Sequence, residues 1–378
     1  MISDIKIRTV FCTSRKESIE AAVKIKGRWW TASVPFGTSK GVHEVRAAPM
    51  REIEKNISEI KTAIKGKTWP EIDDVFERLG ISRIGGNLAL ALSIAAARAR
   101  FGGELWKIEG EKRTGTFPHP LINVIGGGAH GGKTDWQEFL ILPKTGELVD
   151  DIRLGIEIWH VIGDELKRRG LLLGQNIEGA WMAKLDDIKT LDFLSEIADD
   201  WGVRLGIDCA SSRLWDGNKY AYRAMWKLLS PDRHLDFIAD MIRRYKIFYI
   251  EDPCITFSEF KALKKACKST LIVGDDIFCT NPSLVRRGVK EKAANGIIIK
   301  PNQVGTLTSA MKAVSIARSA EWEIIPSHRS HETEDFWIAD LAVAWRAKIA
   351  KFGMNDMPKF NRLLALWSQF KKPTMANL

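Results

Sequence analysis

GIIIKPNQVGTLTSAMKAVSIARSA, residues 296–320, sets a lysine directly behind three isoleucines and then runs into apolar residues at helical spacing. The isoleucine run reads as a buried strand and the segment after it as a helix laid beside that strand. A lysine that closes a strand is ordinary where the strand ends at the surface, because lysine is rarely fully buried unless paired. The competing reading is a lysine held inside for chemistry. Its neighbours decide. VRLGID (203–208) precedes the helical pattern of HLDFIADMIRRYK, IFYIED (247–252) precedes FSEFKALKKAC, LIVGDD (271–276) precedes PSLVRRGVKEK, and EIIPSHR (323–329) precedes ETEDFWIADLAVAWRAKIA. Strand then helix, repeated from about Phe117 onward, predicts a parallel sheet with helices outside. Six or more such units in the remaining length fit a closed β/α barrel. An open doubly wound sheet is the alternative, but GGGAHGG (126–132) lacks the strand-to-helix context of a dinucleotide fingerprint.

Upstream the pattern differs. IKIRTVF and AAVKIKGRWWTASVPF read as strands, with room for a hairpin at KGR. PMREIEKNISEIKTAIKG, WPEIDDVFERLG and GGNLALALSIAAARARFGG read as helices. The expected architecture is therefore α/β, with an N-terminal α+β capping domain over 1–112 and a C-terminal β/α barrel over 113–378.

Composition limits the classes open to the chain. Its 378 residues are 45% hydrophobic and 28% charged, an ordinary soluble balance. No apolar run is long enough to span a membrane, and MISDIKIRTVF does not read as a signal peptide. Five scattered cysteines without a CxxC pair read as reduced thiols, which points to the cytoplasm. The net charge of +10 is spread along the chain, so solvated helix faces account for it better than a nucleic-acid site. Fourteen tryptophans have no reading beyond core and interface packing.

The apolar runs share a further property. Asp208, Glu251, Asp275, Lys300 and His328 each close one of them. From Glu251 the steps are 24, 25 and 28 residues, Lys351 lies 23 beyond His328, and Glu178 lies 30 before Asp208. An ionisable group thus falls at the C-terminal end of strand after strand, the end where β/α barrels build active sites. Separate surface ion pairs or helix caps are the bland reading, and the common phase disfavours it. Asp208, Glu251 and Asp275 on one rim would repel one another and raise their pKa values. A hard cation relieves that repulsion, and oxygen ligands of this kind suit Mg²⁺. Lys300 and Lys351 beside such a site are candidates for a lysine of depressed pKa that acts as a base.

The motifs carrying these residues resemble the enolase family along nearly the whole chain. VPFGTSKGVHE resembles the family's mobile loop, VPSGASTGxHE. SRIGGNLALALSIAAARA, INVIGGGAHGG, DWQEF, IEGAW, GIDCASS, IED, VGDD, IKPNQVGTLT and SHRSHETEDFWIADLAVA follow in family order, and KFGM stands where KTG is usual. The resemblance implies phosphopyruvate hydratase activity, a carbon–oxygen lyase acting on 2-phosphoglycerate. Asp208, Glu251 and Asp275 would hold a first Mg²⁺, and Ser39 would join a second that arrives with substrate. Lys300 would be the base at carbon 2. Glu178 would be the acid at carbon 3, with Glu138 beside it and His328 on the leaving-group side. Lys351 would bind the substrate carboxylate, Arg329 and Ser330 the phosphate, and His130 and Gln137 would complete the pocket. A small phosphorylated acid as substrate, a cytoplasmic homodimer and no membrane or nucleic-acid partner are implied too.

The chain departs from the family near this site. Phe36 replaces a serine and Lys40 a threonine of the mobile loop, Ile177 replaces the aspartate before Glu178, and His331 replaces the glycine of SHRSGE. Losing the acidic neighbour should lower the pKa of Glu178 while burial raises it. Two other readings accommodate these departures. One is a paralogue abstracting an α-proton from a related phosphorylated or phosphonate acid. The other is a non-catalytic binding protein on the same fold.

Overall fold

In a computed structural model of the chain, residues 1–38, 41–110 and 115–378 are described. The expected loop ligand Ser39, its neighbour Lys40 and the expected domain boundary at 112/113 lie outside the described residues.

The chain opens with an antiparallel sheet of three strands in sequence order, β1 (Ile2–Phe11), β2 (Glu17–Ile25) and β3 (Arg28–Ser33). The hairpin expected at KGR turns on Lys26 and Gly27, both at positive φ, as a two-residue hairpin loop requires. Four helices follow: α1 (Met50–Ile64), α2 (Glu71–Leu79), the single turn α3 (Ile81–Ile84) and α4 (Gly86–Arg100). Leu88–Ala97 of α4 are all buried, which explains why LALALSIAAA reads as apolar on every side.

The larger sheet closes into an eight-stranded barrel. Its strands are β4 (His119–Gly126), β5 (Glu138–Leu142), β6 (Arg204–Asp208), β7 (Tyr249–Glu251), β8 (Leu271–Gly274), β9 (Gly296–Ile299), β10 (Glu323–Pro326) and β11 (Ile349–Gly353). β11 pairs in parallel with β4, and a Ser327–Lys351 bridge joins the β10 end to β11. Around it run α5 (Leu148–Arg168), α6 (Asp187–Trp201), α7 (Pro231–Arg244), α8 (Phe257–Ala266), α9 (Pro282–Glu291), α10 (Leu307–Ser319), α11 (Trp337–Ala344) and α12 (Met357–Trp367).

The barrel is not wholly parallel, contrary to the expectation from strand–helix alternation. β5 runs antiparallel to both β4 and β6. Residues 127–137 lead straight from β4 into β5 without a crossover helix, and only an antiparallel neighbour permits that.

Alternation along the strands fixes what the barrel encloses. Leu121, Leu140, Tyr249, Val273, Ile298, Ile325 and Ile349 form a small buried cluster apart from the main core. At the same level on β6 stands Gly206, where a side chain would press on Tyr249 and Leu140. Two residues along each strand, on the same face, are Asn123, Glu138, Asp208, Glu251, Asp275, Lys300, Ser327 and Lys351. A polar ring therefore sits directly above an apolar plug.

Candidate functional site

GIIIK now has a local explanation. Ile298 points into the barrel, and Lys300 shares its face by the two-residue period, so the strand that buries one carries the other to the mouth. The Lys300 side chain is 14% exposed, and its Nζ lies 2.5 Å from Asp275 Oδ2. Gln303 Nε2 donates to the other Asp275 oxygen at 2.9 Å. Burial pushes the Lys300 pKa down, but Asp275 and Glu251 outweigh it and hold the ammonium above its usual range. The depressed pKa expected from the sequence belongs to a lysine beside a bound cation; the protein's own carboxylates act in the opposite direction.

Lys351 is the second hub. Its Nζ lies 2.7 Å from Glu251 Oε2, 2.9 Å from Glu138 Oε2 and 3.1 Å from Asp208 Oδ2. Strand register causes this: Asp208 is paired with Glu251 on one side and with Glu138 on the other. Glu138 begins its strand, yet it reaches the same rim as residues that end theirs, because β5 is reversed. Burial would discharge Lys351, but Asp208, Glu138 and Glu251 outweigh it and keep the ammonium charged. The crowding of carboxylates is felt most at Glu251, whose pKa burial and Asp208 push up to about 8.

Two further residues stand apart from the strand-end pattern. Glu178 belongs to no barrel strand. It sits in the turn between the short strands Leu172–Gln175 and Trp181–Ala183, and Trp181 pairs with Ile125 of β4. Asn176 Oδ1 caps that turn by accepting from the Glu178 and Ala180 amides. Gly179 (φ +85°) and Gly353 allow the turn to press on residues 353–355, where a Cβ on either glycine would come within 3 Å of backbone or side-chain atoms. The β10 residue in phase with the ring is Ser327, so His328 lies one position beyond it, and its Nδ1 meets Asp356 Oδ2 at 2.6 Å.

Glu178 Oε2 accepts from Asn123 Nδ2 at 2.9 Å and lies 3.4 Å from His130 Nδ1. Burial raises the Glu178 pKa, but His130, His328 and Lys351 outweigh it and hold the carboxylate well below the usual range. His130 moves the opposite way. Burial lowers its pKa, Glu178 and Glu138 outweigh that, and it reaches about 9. The two opposed shifts favour a proton on the imidazole over one on the carboxylate.

One small pocket collects most of the expected residues: His130, Gln137, Glu138, Glu178, Asp275, Lys300, His328, Arg329, Ser330 and Lys351 line it. Asp208 and Glu251 do not; they lie beneath it and reach it through Lys351. Gln137 Nε2 donates to Asp208 Oδ2 at 3.2 Å. Arg329 is held by Glu44 at 2.9 and 3.2 Å and by Asn302 Oδ1 at 3.0 Å.

The donor set fits a hard divalent cation. Glu251 Oε1 is buried without a hydrogen-bond partner among the described residues, and the pocket floor carries more carboxylates than ammonium groups. Two groupings among the described residues bring ligand atoms within 4.8 Å of one another, His130–Glu138–Glu178 and Asp252–Asp275–Asp276. Asp276, which burial and Asp275 raise to about 6, was not expected from the sequence.

The sequence reading also missed a buried chain behind His328. Asp356 contacts Lys359 Nζ at 3.4 Å, Lys359 reaches Glu332 Oε2 at 3.0 Å, and Glu332 Oε1 accepts from the Arg329 amide at 2.9 Å. Lys359 is 1% exposed. A signal was present: Lys359, Leu363 and Leu366 share one face of α12, so a charge stands on an apolar stripe.

Likeness to known proteins runs the length of the chain. A family model for the enolase C-terminal TIM barrel domain matches residues 114–372. Enolase of Archaeoglobus fulgidus is 36% identical over 398 residues, covering 99% of each chain. Enolase of Methanosphaera stadtmanae is 33% identical over 412 residues, covering 100% of this chain and 99% of that one. Enolase of Natronomonas pharaonis is 34% identical over 394 residues, covering 97% and 98%. Full-length likeness of this order, on a barrel whose mouth carries the ring of carboxylates and lysines described above, places the chain in the enolase family.

Proposed function

We propose that this protein dehydrates 2-phosphoglycerate to phosphoenolpyruvate and water, with Mg²⁺ as its cation. The observation that carries the reading is the placement of Lys300 and the His130–Glu178 pair on one pocket, with carboxylates beneath and Arg329 and Ser330 at its edge.

The pairing of a Lys or His base with Mg²⁺ is an established trait of the enolase superfamily. Asp208, Glu251 and Asp275 would hold the cation, which when bound offsets the charge that keeps Lys300 protonated and stabilises negative charge on the substrate carboxylate. Ser39 and a second ion belong to the same reading. Lys300 Nζ takes the proton from carbon 2. A proton held at the His130–Glu178 pair leaves with the hydroxide of carbon 3, a transfer of the kind that contributes on the order of a hundredfold or more. His328 and Glu138 flank that proton. Lys351 holds the substrate carboxylate, Gln137 steadies Asp208, and Arg329 and Ser330 take the phosphate. A homodimer in the cytoplasm completes the proposal, and light scattering of the purified protein tests the dimer.

Incubation with MgCl₂ and 2-phosphoglycerate should generate the ultraviolet absorbance of phosphoenolpyruvate, and a chelator should stop it. Absence of product at saturating MgCl₂ overturns the reading.

A further inference from the structure

We propose that His331 is a positioning residue: with Phe36 and Thr38 it latches residues 35–38 onto the segment carrying Arg329 and Ser330, and so presets the phosphate-holding corner of the pocket. The inference rests on the reading of Arg329 and Ser330 as phosphate ligands.

Phe36 and His331 are two of the positions at which this chain departs from the enolase pattern, and the fold brings them into contact. Their rings stack with centroids 4.4 Å apart at 29°. Their backbones form an antiparallel bridge, with the His331 amide donating to Phe36 O at 3.0 Å and the Phe36 amide to His331 O at 3.2 Å. Both ring nitrogens are used. Nε2 lies 3.1 Å from Thr38 Oγ1 and Nδ1 lies 2.6 Å from Ser14 Oγ. Burial and Lys16 lower the His331 pKa to about 4, so the ring is neutral at neutral pH and suits two hydroxyl partners. A glycine at 331 removes the stack and both side-chain bonds together.

The latch acts on the site through Ser330. The Thr38 amide donates to Ser330 Oγ at 2.8 Å, which occupies one acceptor lobe of that hydroxyl and fixes where it sits. The Ser330 hydroxyl lies 3.0 Å from Thr38 Oγ1 and lines the pocket beside Gly37 and Arg329. Asn302 ties the same corner from below, donating to Pro35 O at 3.1 Å while accepting from Arg329. A corner held in this way before the ligand arrives costs less ordering when an anion binds.

The test uses full-length protein and the variants H331G, F36S and the double variant, with F36Y as a control that keeps the ring. Hydrogen–deuterium exchange without substrate should quicken about tenfold or more at the Phe36 and Thr38 amides in H331G and F36S, stay unchanged in peptides from α7 and α8, and stay at the wild-type rate in F36Y. The KM for 2-phosphoglycerate should rise about tenfold in each single variant, with a smaller change in kcat, and the double variant should be no worse than the poorer single by more than about twofold. Wild-type exchange rates in H331G, KM effects that multiply in the double variant, or a fall in kcat at unchanged KM would each overturn the latch. If H331G does not fold, F36S carries the same predictions. If the wild-type protein fails to turn over 2-phosphoglycerate, the reaction assignment falls, and the exchange arm with calorimetric titration of inorganic phosphate decides the latch separately.

Discussion

Lys351 Nζ has three carboxylate oxygens within 3.1 Å and is almost wholly enclosed. Removing its charge leaves Glu138, Asp208 and Glu251 facing one another in a dry place. Lys351→Met should therefore cost about 3–5 kcal/mol in chelator, measured by denaturant unfolding, and recover part of it in MgCl₂. An equal loss in both media would mean that no cation shares those carboxylates. Among the described residues Lys300 makes one close ion pair, with Asp275, and it lines the pocket. Lys300→Ala should abolish solvent-deuterium exchange at carbon 2 of 2-phosphoglycerate while cation binding, followed by calorimetry, survives; exchange that persists would mean the base is misassigned. At this scale the sequence was informative about type and position: the residue ending each apolar run named Asp208, Glu251, Asp275 and Lys300 correctly as one rim. It could not assign their partners, because strand register, not spacing along the chain, decides which carboxylate meets which lysine.

His234 of α7 shows what an element contributes beyond its apolar face. It stacks on Tyr220 at 3.7 Å between centroids, its Nε2 donates to Pro253 O at 2.6 Å, and Tyr222 OH lies 3.1 Å from Nδ1. Burial lowers its pKa to about 4. The unfolded chain protonates this histidine near pH 6.5 while the folded chain resists, so between about pH 6.5 and 4 the unfolded state binds more protons and stability rises with pH. The contribution is complete above pH 6.5, falls away toward pH 4, and is on the order of 3 kcal/mol. Denaturant unfolding across that window should show the slope in the wild type and lose it in His234→Phe, which keeps an aromatic stack; an unchanged slope would assign the effect elsewhere. On α12, Lys359→Met should cost about 3 kcal/mol by leaving Asp356 and Glu332 buried without their shared cation. The same variant should lower kcat by freeing His328, and an unaffected rate would confine Lys359 to stability. Helix and strand identities were legible from period and length, as KGR, α1 and α4 show. The reversal of β5 was not, since an apolar run carries no direction.

At the scale of the molecule, the N-terminal strands and helices are joined to the barrel by polar as well as apolar contacts. Asp73 of α2 accepts through one oxygen from Trp69 Nε1, Ser93 Oγ and both the amide and hydroxyl of Thr308 on α10, at 2.6–3.1 Å. Arg98 of α4 reaches Asp335 beyond β10, and Trp337 Nε1 donates to Ser33 O at 2.9 Å. Asp73→Ala should lower stability by about 3 kcal/mol, because it leaves several buried donors unpaired, and calorimetry should show the melting midpoint fall; an unmoved midpoint would mean that apolar packing alone joins the two parts. The sequence by itself determined that strands alternate with helices over the larger part, that a strand-forming piece precedes them, and that ionisable residues close the strands. Those properties are periodic, and periodicity survives in a linear chain. Only the tertiary structure decided that Glu178 enters from a side turn, that Asp356, Lys359 and Glu332 stand behind His328, and that Phe36 meets His331. Each is a contact between segments distant along the chain, made where two surfaces happen to close on one another, and no local pattern of residues encodes such a meeting.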